Sequence, residues 1–151
     1  SDIVIRGNVS MPSNIANMQG IYLGAVYYTN VLIEDNVIST GMIRGISIHS
    51  GSNVVVRNNT LIDYAGEVHS GTKVMGATES YGNIQMSYAG EAGLGADLIL
   101  QNTDPNKPFY YGDYFANPEA GRGMTLKDLL PKSGTLAESM GAIDTIKAFI
   151  E

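Results

Sequence analysis

The sequence predicts an all-β fold, a right-handed parallel β-helix of about four to five coils with a C-terminal loop and helical cap. Three observations predict it. An apolar triplet returns at a near-constant interval, a second short strand precedes most copies, and the composition is rich in glycine and poor in charge.

The triplet is found by searching for self-similarity. DIVIRGN from Asp2, NVLIEDN from Asn30, NVVVRNN from Asn53 and DLILQN from Asp97 share an apolar triplet after a turn residue. IHSGSNVVV from Ile48 matches VHSGTKVMG from Val68 without a gap and adds a triplet at Val74. Triplets then begin at Ile3, Val31, Val54, Val74 and Leu98, in steps of 28, 23, 20 and 24 residues. That interval suits one coil of a solenoid. The second strand reads GIYLG from Gly20, GISIH from Gly45, GEVHS from Gly66 and GNIQMS from Gly82. Leucine-rich repeats have a similar period, but their leucine scaffold is absent, and β-sandwiches do not repeat one triplet at a near-fixed step.

Composition fits. Of 151 residues, 18 are glycine and only 16% are charged, so tight turns outnumber solvated helical faces. The net charge of -6, with Arg6, Arg44, Arg57 and Lys73 dispersed, argues against nucleic acid and against a basic membrane patch. No apolar run approaches a membrane span. Without cysteine there are no disulfides or thiolate metal sites, which leaves the compartment open. Ser1-Asp2-Ile3-Val4-Ile5 reads as mid-strand, so a fragment of a longer protein is expected.

On these repeats, residues 1–103 resemble the right-handed parallel β-helix superfamily of pectate-lyase-like proteins and phage tailspikes, in its C-terminal portion. PKSGTLAESMGAI is loosely similar to the closing segment of some bacterial β-helix proteins. The resemblance implies an extracellular, cell-surface or virion setting, a polysaccharide partner and a possible homotrimer. Right-handedness comes from it and from the chirality of parallel crossovers.

Alternation along each strand assigns faces. The outer residues of each triplet point inward. The middle ones, Val4, Leu32, Val55, Met75 and Ile99, form an apolar outward column that the C-terminal segment or another subunit should cover. Arg6, Glu34 and Arg57 follow in register as an ion-pair row, continued by Ala77 and Gln101, and Asn8, Asn36 and Asn59 recur at one bend as a stack that satisfies turn backbone.

The other strand gives a polar outward strip of Tyr22, Ser47, Glu67, Gln85 and Ser87, joined by His49 and His69 on adjacent coils. This strip is the candidate site. It suits an extended glycan, which needs hydroxyl, amide and carboxylate partners and an aromatic platform. In a lyase or epimerase, His49 or His69 would be the base and Tyr22 the acid, though cations for a uronate are scarce. Hydrolysis wants two carboxylates about 5–9 Å apart, and Glu67 has no second carboxylate. His49, His69 and Glu67 could hold a metal, yet no calcium-repeat or other metal motif is present; the alternative is that the repeated HSG is one bend used twice, its imidazoles capping turn carbonyls. No cofactor is expected, although calcium or another divalent ion is conceivable there.

After residue 103 the repeat stops. Residues 104–123 form an aromatic-rich loop, with Phe109, Tyr110, Tyr111, Tyr114 and Phe115 close together, to pack on the apolar column or to stack on glycan. Residues 124–151 form the helical cap. A short helix opens at Thr125, and Thr135 and Glu138 make a capping box for a helix of about fifteen residues. Its stripe of Leu136, Met140, Ile143, Ile146 and Ile150 should seal the open end of the solenoid or meet symmetry mates. The expected function is glycan binding within a larger spike or polysaccharide-active protein. The alternatives are a polysaccharide lyase or epimerase fragment and a purely structural or oligomerisation module.

Overall fold

Burial alternates along Ile3–Arg6, and the same alternation orders the strands stacked beside it. The computed structural model describes residues 2–11, 20–41, 44–63, 72–86, 106, 110–116 and 123–151, and the backbone of 96–100. The strands are β1 (Ile3–Arg6), β2 (Val9–Ser10), β3 (Ile21–Leu23), β4 (Tyr28–Glu34), β5 (Val37–Thr40) and β6 (Arg44–Ile48). They continue with β7 (Gly51–Arg57), β8 (Thr60–Asp63), β9 (Lys73–Met75), β10 (Glu79–Met86) and β11 (Ala96–Leu100). The one α-helix among the described residues is α1 (Ile143–Ile150).

The fold is mostly β, and every pairing between these strands is parallel. One sheet runs β1-β4-β7-β10-β8-β5-β2, with β11 on β10, and a smaller one runs β3-β6-β9. The long strand β10 explains why the large sheet curls. Its first half pairs with β7 and its second half with β8, so one strand serves two walls that diverge at a bend.

Three strand faces close on one apolar cluster. Val31, Ile33, Val54 and Val56 come from β4 and β7, Ile46 and Ile48 from β6, and Ile38 and Leu61 from β5 and β8. All are at most 3% exposed. Each such aliphatic side chain contributes about 1.5–3 kcal/mol by leaving water.

The bend between the walls is set by a repeated dipeptide. Gly7, Asp35, Asn58 and Gly82 all have positive φ, between 52° and 68°, and each precedes an asparagine. Glycine, aspartate and asparagine tolerate this left-handed conformation best. The asparagines that follow, Asn8, Asn36, Asn59 and Asn83, form a continuous ladder. Asn36 Oδ1 accepts from Asn8 N and Nδ2 at 3.0 and 2.9 Å. Asn59 Oδ1 accepts from Asn36, and Asn83 Oδ1 from Asn59, in the same way. The buried amides also donate to backbone oxygens, Asn36 to Ile5 and Glu34, Asn59 to Ile33 and Arg57. The expected stack is present and is one member longer than expected.

Register corrects the triplet at Val74. Ile3, Val31 and Val54 pair as expected. Val55, however, pairs with Glu79, while Val74 sits on β9 beside Ile46. The gap-free HSG match is therefore not a structural register. The outward column is Val4, Leu32 and Val55, ending at Glu79. Met75 lies beside Ser47 and Ile99 beside Gln85, so neither belongs to it. Arg57 is followed in its row by Tyr81 rather than Ala77.

The C-terminal segment packs elsewhere than on that column. Tyr111, Phe115, Met124, Leu129, Ala137 and Ile146 cluster with Val37, Ile62, Ile84 and Met86, the outward residues of β5, β8 and the second half of β10. Gly141 N donates to Gly82 O, Ala142 N to Thr60 Oγ1, and Thr145 Oγ1 to Asp35 O. The segment thus lies along the flank across three successive bends instead of sealing an end. Val4 stays 58% exposed.

The expected fifteen-residue helix is split. A 3-10 turn at Leu136–Ser139 ends at Met140 in extended conformation, and Gly141 has φ +69°. A side chain at Gly141 would stand 2.6 Å from Thr60 Oγ1, so the close approach to β8 breaks the helix. Glu138 accepts from Gly134 N and Thr135 Oγ1 donates to Lys132 O, so the expected box there does not form. A box forms ten residues earlier, at the 3-10 helix Leu126–Leu129, where Asp128 accepts from both Thr125 N and Oγ1.

Candidate functional site

The small sheet carries the candidate strip, and its residues sort by pairing. Ile21, Ile46 and Val74 align, and so do Tyr22, Ser47 and Met75. Because Ile46 points into the core, the second row points out. Tyr22 is 55% exposed, but Ser47 is only 2% exposed, so its hydroxyl is not a free surface group. The Tyr22 ring leans over Gly24, where a side chain would stand 2.4 Å from Cε1.

His49 follows Ile48 at the corner and is exposed. Its backbone N donates to Leu23 O at 2.8 Å, which ties the end of β6 to β3. The same corner presents Val26 and Tyr27, 57% and 65% exposed. The corner is held from within, by Tyr28 Oη donating to Gly24 O at 2.8 Å and Ser50 Oγ donating to Val26 O at 3.3 Å. Tyr27 and His49 are thereby exposed on a corner whose backbone is tied by these hydrogen bonds.

At the other end of the sheet Arg44 on β6 pairs with Lys73 on β9. None of the three strands, IYL, RGISI and KVM, contains a carboxylate. About three residues, or ~10 Å of strand, separate the cations from the Tyr22–Ser47 row. Their alignment follows from the observed register of β9, which the mistaken placement of Val74 concealed.

Gln85 is a correction. It pairs with Leu61, points into the core and is fully buried, so it is not on the strip. Glu67, His69 and Ser87 lie outside the described residues. Pairing of His69 with His49 relied on the HSG match, which the register of β9 does not follow. Among the described residues no group of three His, Asp or Glu side chains converges on one point as a metal site would require.

The strongest electrostatic feature stands on a different face. Glu34, only 3% exposed, lies between Arg6 and Arg57. Arg57 Nε and Nη2 both reach Glu34 Oε2 at 2.6 Å, and Arg57 Nη1 donates to Tyr81 Oη at 3.1 Å. Burial pushes the Glu34 carboxyl up, but hydrogen bonds and charge from the two guanidiniums outweigh it and hold Glu34 below its ordinary range. Asp35 shifts the other way, raised first by burial and then by the Glu34 charge. With every charge in the row paired, this is a structural ion-pair row.

No family model matches the chain, and no curated protein or solved structure matches it.

Proposed function

We propose that the chain is a segment of a right-handed parallel β-helix in a larger extracellular or virion polysaccharide-active protein, and that the small-sheet face binds an extended acidic glycan. One observation carries this reading. Exposed Tyr22 on β3, Tyr27 in the corner after β3 and His49 after β6 lie toward one end of the small sheet, whose β6 and β9 hold Arg44 and Lys73 at the other end, on strands without a carboxylate. Aromatic faces stack on sugar rings, imidazole bonds hydroxyls, and the cations neutralise uronate or sulfate groups. The circuits of 23–28 residues set by the ladder support the β-helix.

The test is calorimetric titration with acidic and neutral oligosaccharides. Uronate oligomers bind, Tyr22→Ala weakens binding about tenfold or more, and added salt weakens it further. Binding by no glycan of a broad panel refutes the reading. Lyase or epimerase activity, with His49 as base and Tyr22 as acid, would show as unsaturated or inverted uronate products.

A second reading rests on the column Val4, Leu32 and Val55, which the C-terminal segment leaves uncovered. It would be an assembly face, in a homotrimer or against a partner chain, checked by the mass of the particle in solution and by Leu32→Lys.

A further inference from the structure

We propose that the β1 edge of the molecule is a docking surface for one more parallel circuit of polypeptide, and that the docked segment carries asparagine at its bend. The proposal is independent of glycan binding.

Three features converge there. Among the described residues, β1 pairs only with β4, β2 only with β5 and β3 only with β6, so the second edge of each lies at the same end of the stack. Such edges template further strands. The apolar interior also opens at this end, into a cavity of about 140 Å³ lined by Ile5, Val9, Ile21, Val37 and Ile38 beside Asn8. Ile3, Ile5 and Ile21 are half-buried, whereas Val31, Ile33 and Ile46, their partners one circuit on, are at most 1% exposed.

The third feature identifies the occupant. The ladder has a direction, in which each Oδ1 takes two donors from the circuit before it. Among the described residues, no donor is directed at Asn8 Oδ1, whereas the other three ladder oxygens each take two. A preceding asparagine at the same bend supplies both donors, and its flanking strand supplies the amides that β1 lacks. A two-fold copy of this chain fits poorly, because it would run β1 antiparallel to itself and set two Asn8 acceptors face to face. A glycan would offer neither the strand spacing nor apolar side chains for the cavity. The occupant therefore reads apolar-x-apolar-x, then a residue tolerant of positive φ, then Asn, as in Val31-Leu32-Ile33-Glu34-Asp35-Asn36.

The test adds a peptide of residues 28–40 to the full chain and follows amide hydrogen exchange. The β1 amides gain protection, and the peptide with Asn36→Ala binds at least about tenfold more weakly, since two hydrogen bonds to Asn8 Oδ1 are lost. The protein itself is unaltered, so misfolding cannot mimic the result. Absence of protection at β1, or equal binding of the alanine peptide, overturns the proposal. Protection that rises with protein concentration alone also overturns it, by assigning the edge to self-association.

Discussion

Asn36 Oδ1 receives both the backbone amide and the side-chain amide of Asn8, one circuit away, while Asn36 Nδ2 in turn reaches Asn59. A carboxamide offers two acceptor sites and two donors, and Asn36 uses all of them without solvent. Buried amides linked in series polarise one another, so the ladder works as a unit.

Asn59→Ala is expected to cost roughly 3 kcal/mol, because it strands the Asn36 donors and the Ile33 carbonyl inside the fold. Asn8→Ala, at the exposed end, is expected to cost about 1 kcal/mol or less. Urea denaturation of the two variants compares them. Equal losses would mean that the ladder does not hold the bends.

The Arg6–Glu34–Arg57 row makes acid stability legible. The Glu34 carboxyl titrates below its ordinary 4.5 in the folded chain, so its stabilisation is full above that pH and fades as acid protonates it. Glu34→Gln should lower the melting temperature at pH 7, and the gap to the parent should close below about pH 4. A gap that is constant from pH 7 to pH 3 would exclude this role for the charge.

Asp35 behaves oppositely. Its pKa is raised above 3.8, so ionisation weakens the fold, and its relative benefit is present in acid and lost as pH rises through the folded value. Asp35→Asn keeps a residue suited to φ 56° and removes charge beside Glu34 and Asp144. It is expected to raise the melting temperature at pH 7 and to lose that advantage near pH 3. A lower melting temperature at pH 7 would show that the carboxylate has a partner worth more than the repulsion.

Docking of the C-terminal segment separates two phenylalanines. Phe115, 1% exposed against the β5–β8 face, should cost about 3–5 kcal/mol on replacement by alanine. Phe149, 62% exposed, should change stability by less than about 0.5 kcal/mol. Thermal melts of both variants test the packing.

Much of the architecture was legible because the interior demands it. Inward Val and Ile at Ile3, Val31 and Val54 recur in sequence as they stack in space. The next circuit escaped because polar residues take the register positions of Val54 and Val56. Thr78 and Ser80 stand where valines would, and they bond locally, Thr78 Oγ1 accepting from Val54 N and Ser80 Oγ from Asn83 Nδ2. With the apolar signal gone, the VMG triplet on the neighbouring sheet looked like the continuation. A subtler signal was available in Gly7-Asn8, Asp35-Asn36, Asn58-Asn59 and Gly82-Asn83, whose dipeptides mark the true bends. Of the candidate strip, Tyr22 and Ser47 align as alternation predicts, whereas Gln85 followed a strand boundary placed on the wrong side of a bend. The partnership of Arg44 with Lys73 depends on a register shift within β6 and β9, which no periodicity announces.

Stacked circuits touch only their neighbours, and such arrays can fray one unit at a time from an end. The bonds from Thr145 to Asp35, Ala142 to Thr60 and Gly141 to Gly82 tie one segment to three successive bends, joining residues as many as 110 positions apart. Loss of any bridged unit therefore releases the tail from the others, and melting becomes a single collective event. Ribosomal synthesis delivers residues 141–145 after the bends they bridge, so this stretch of chain gains its full resistance to unfolding only once they have emerged.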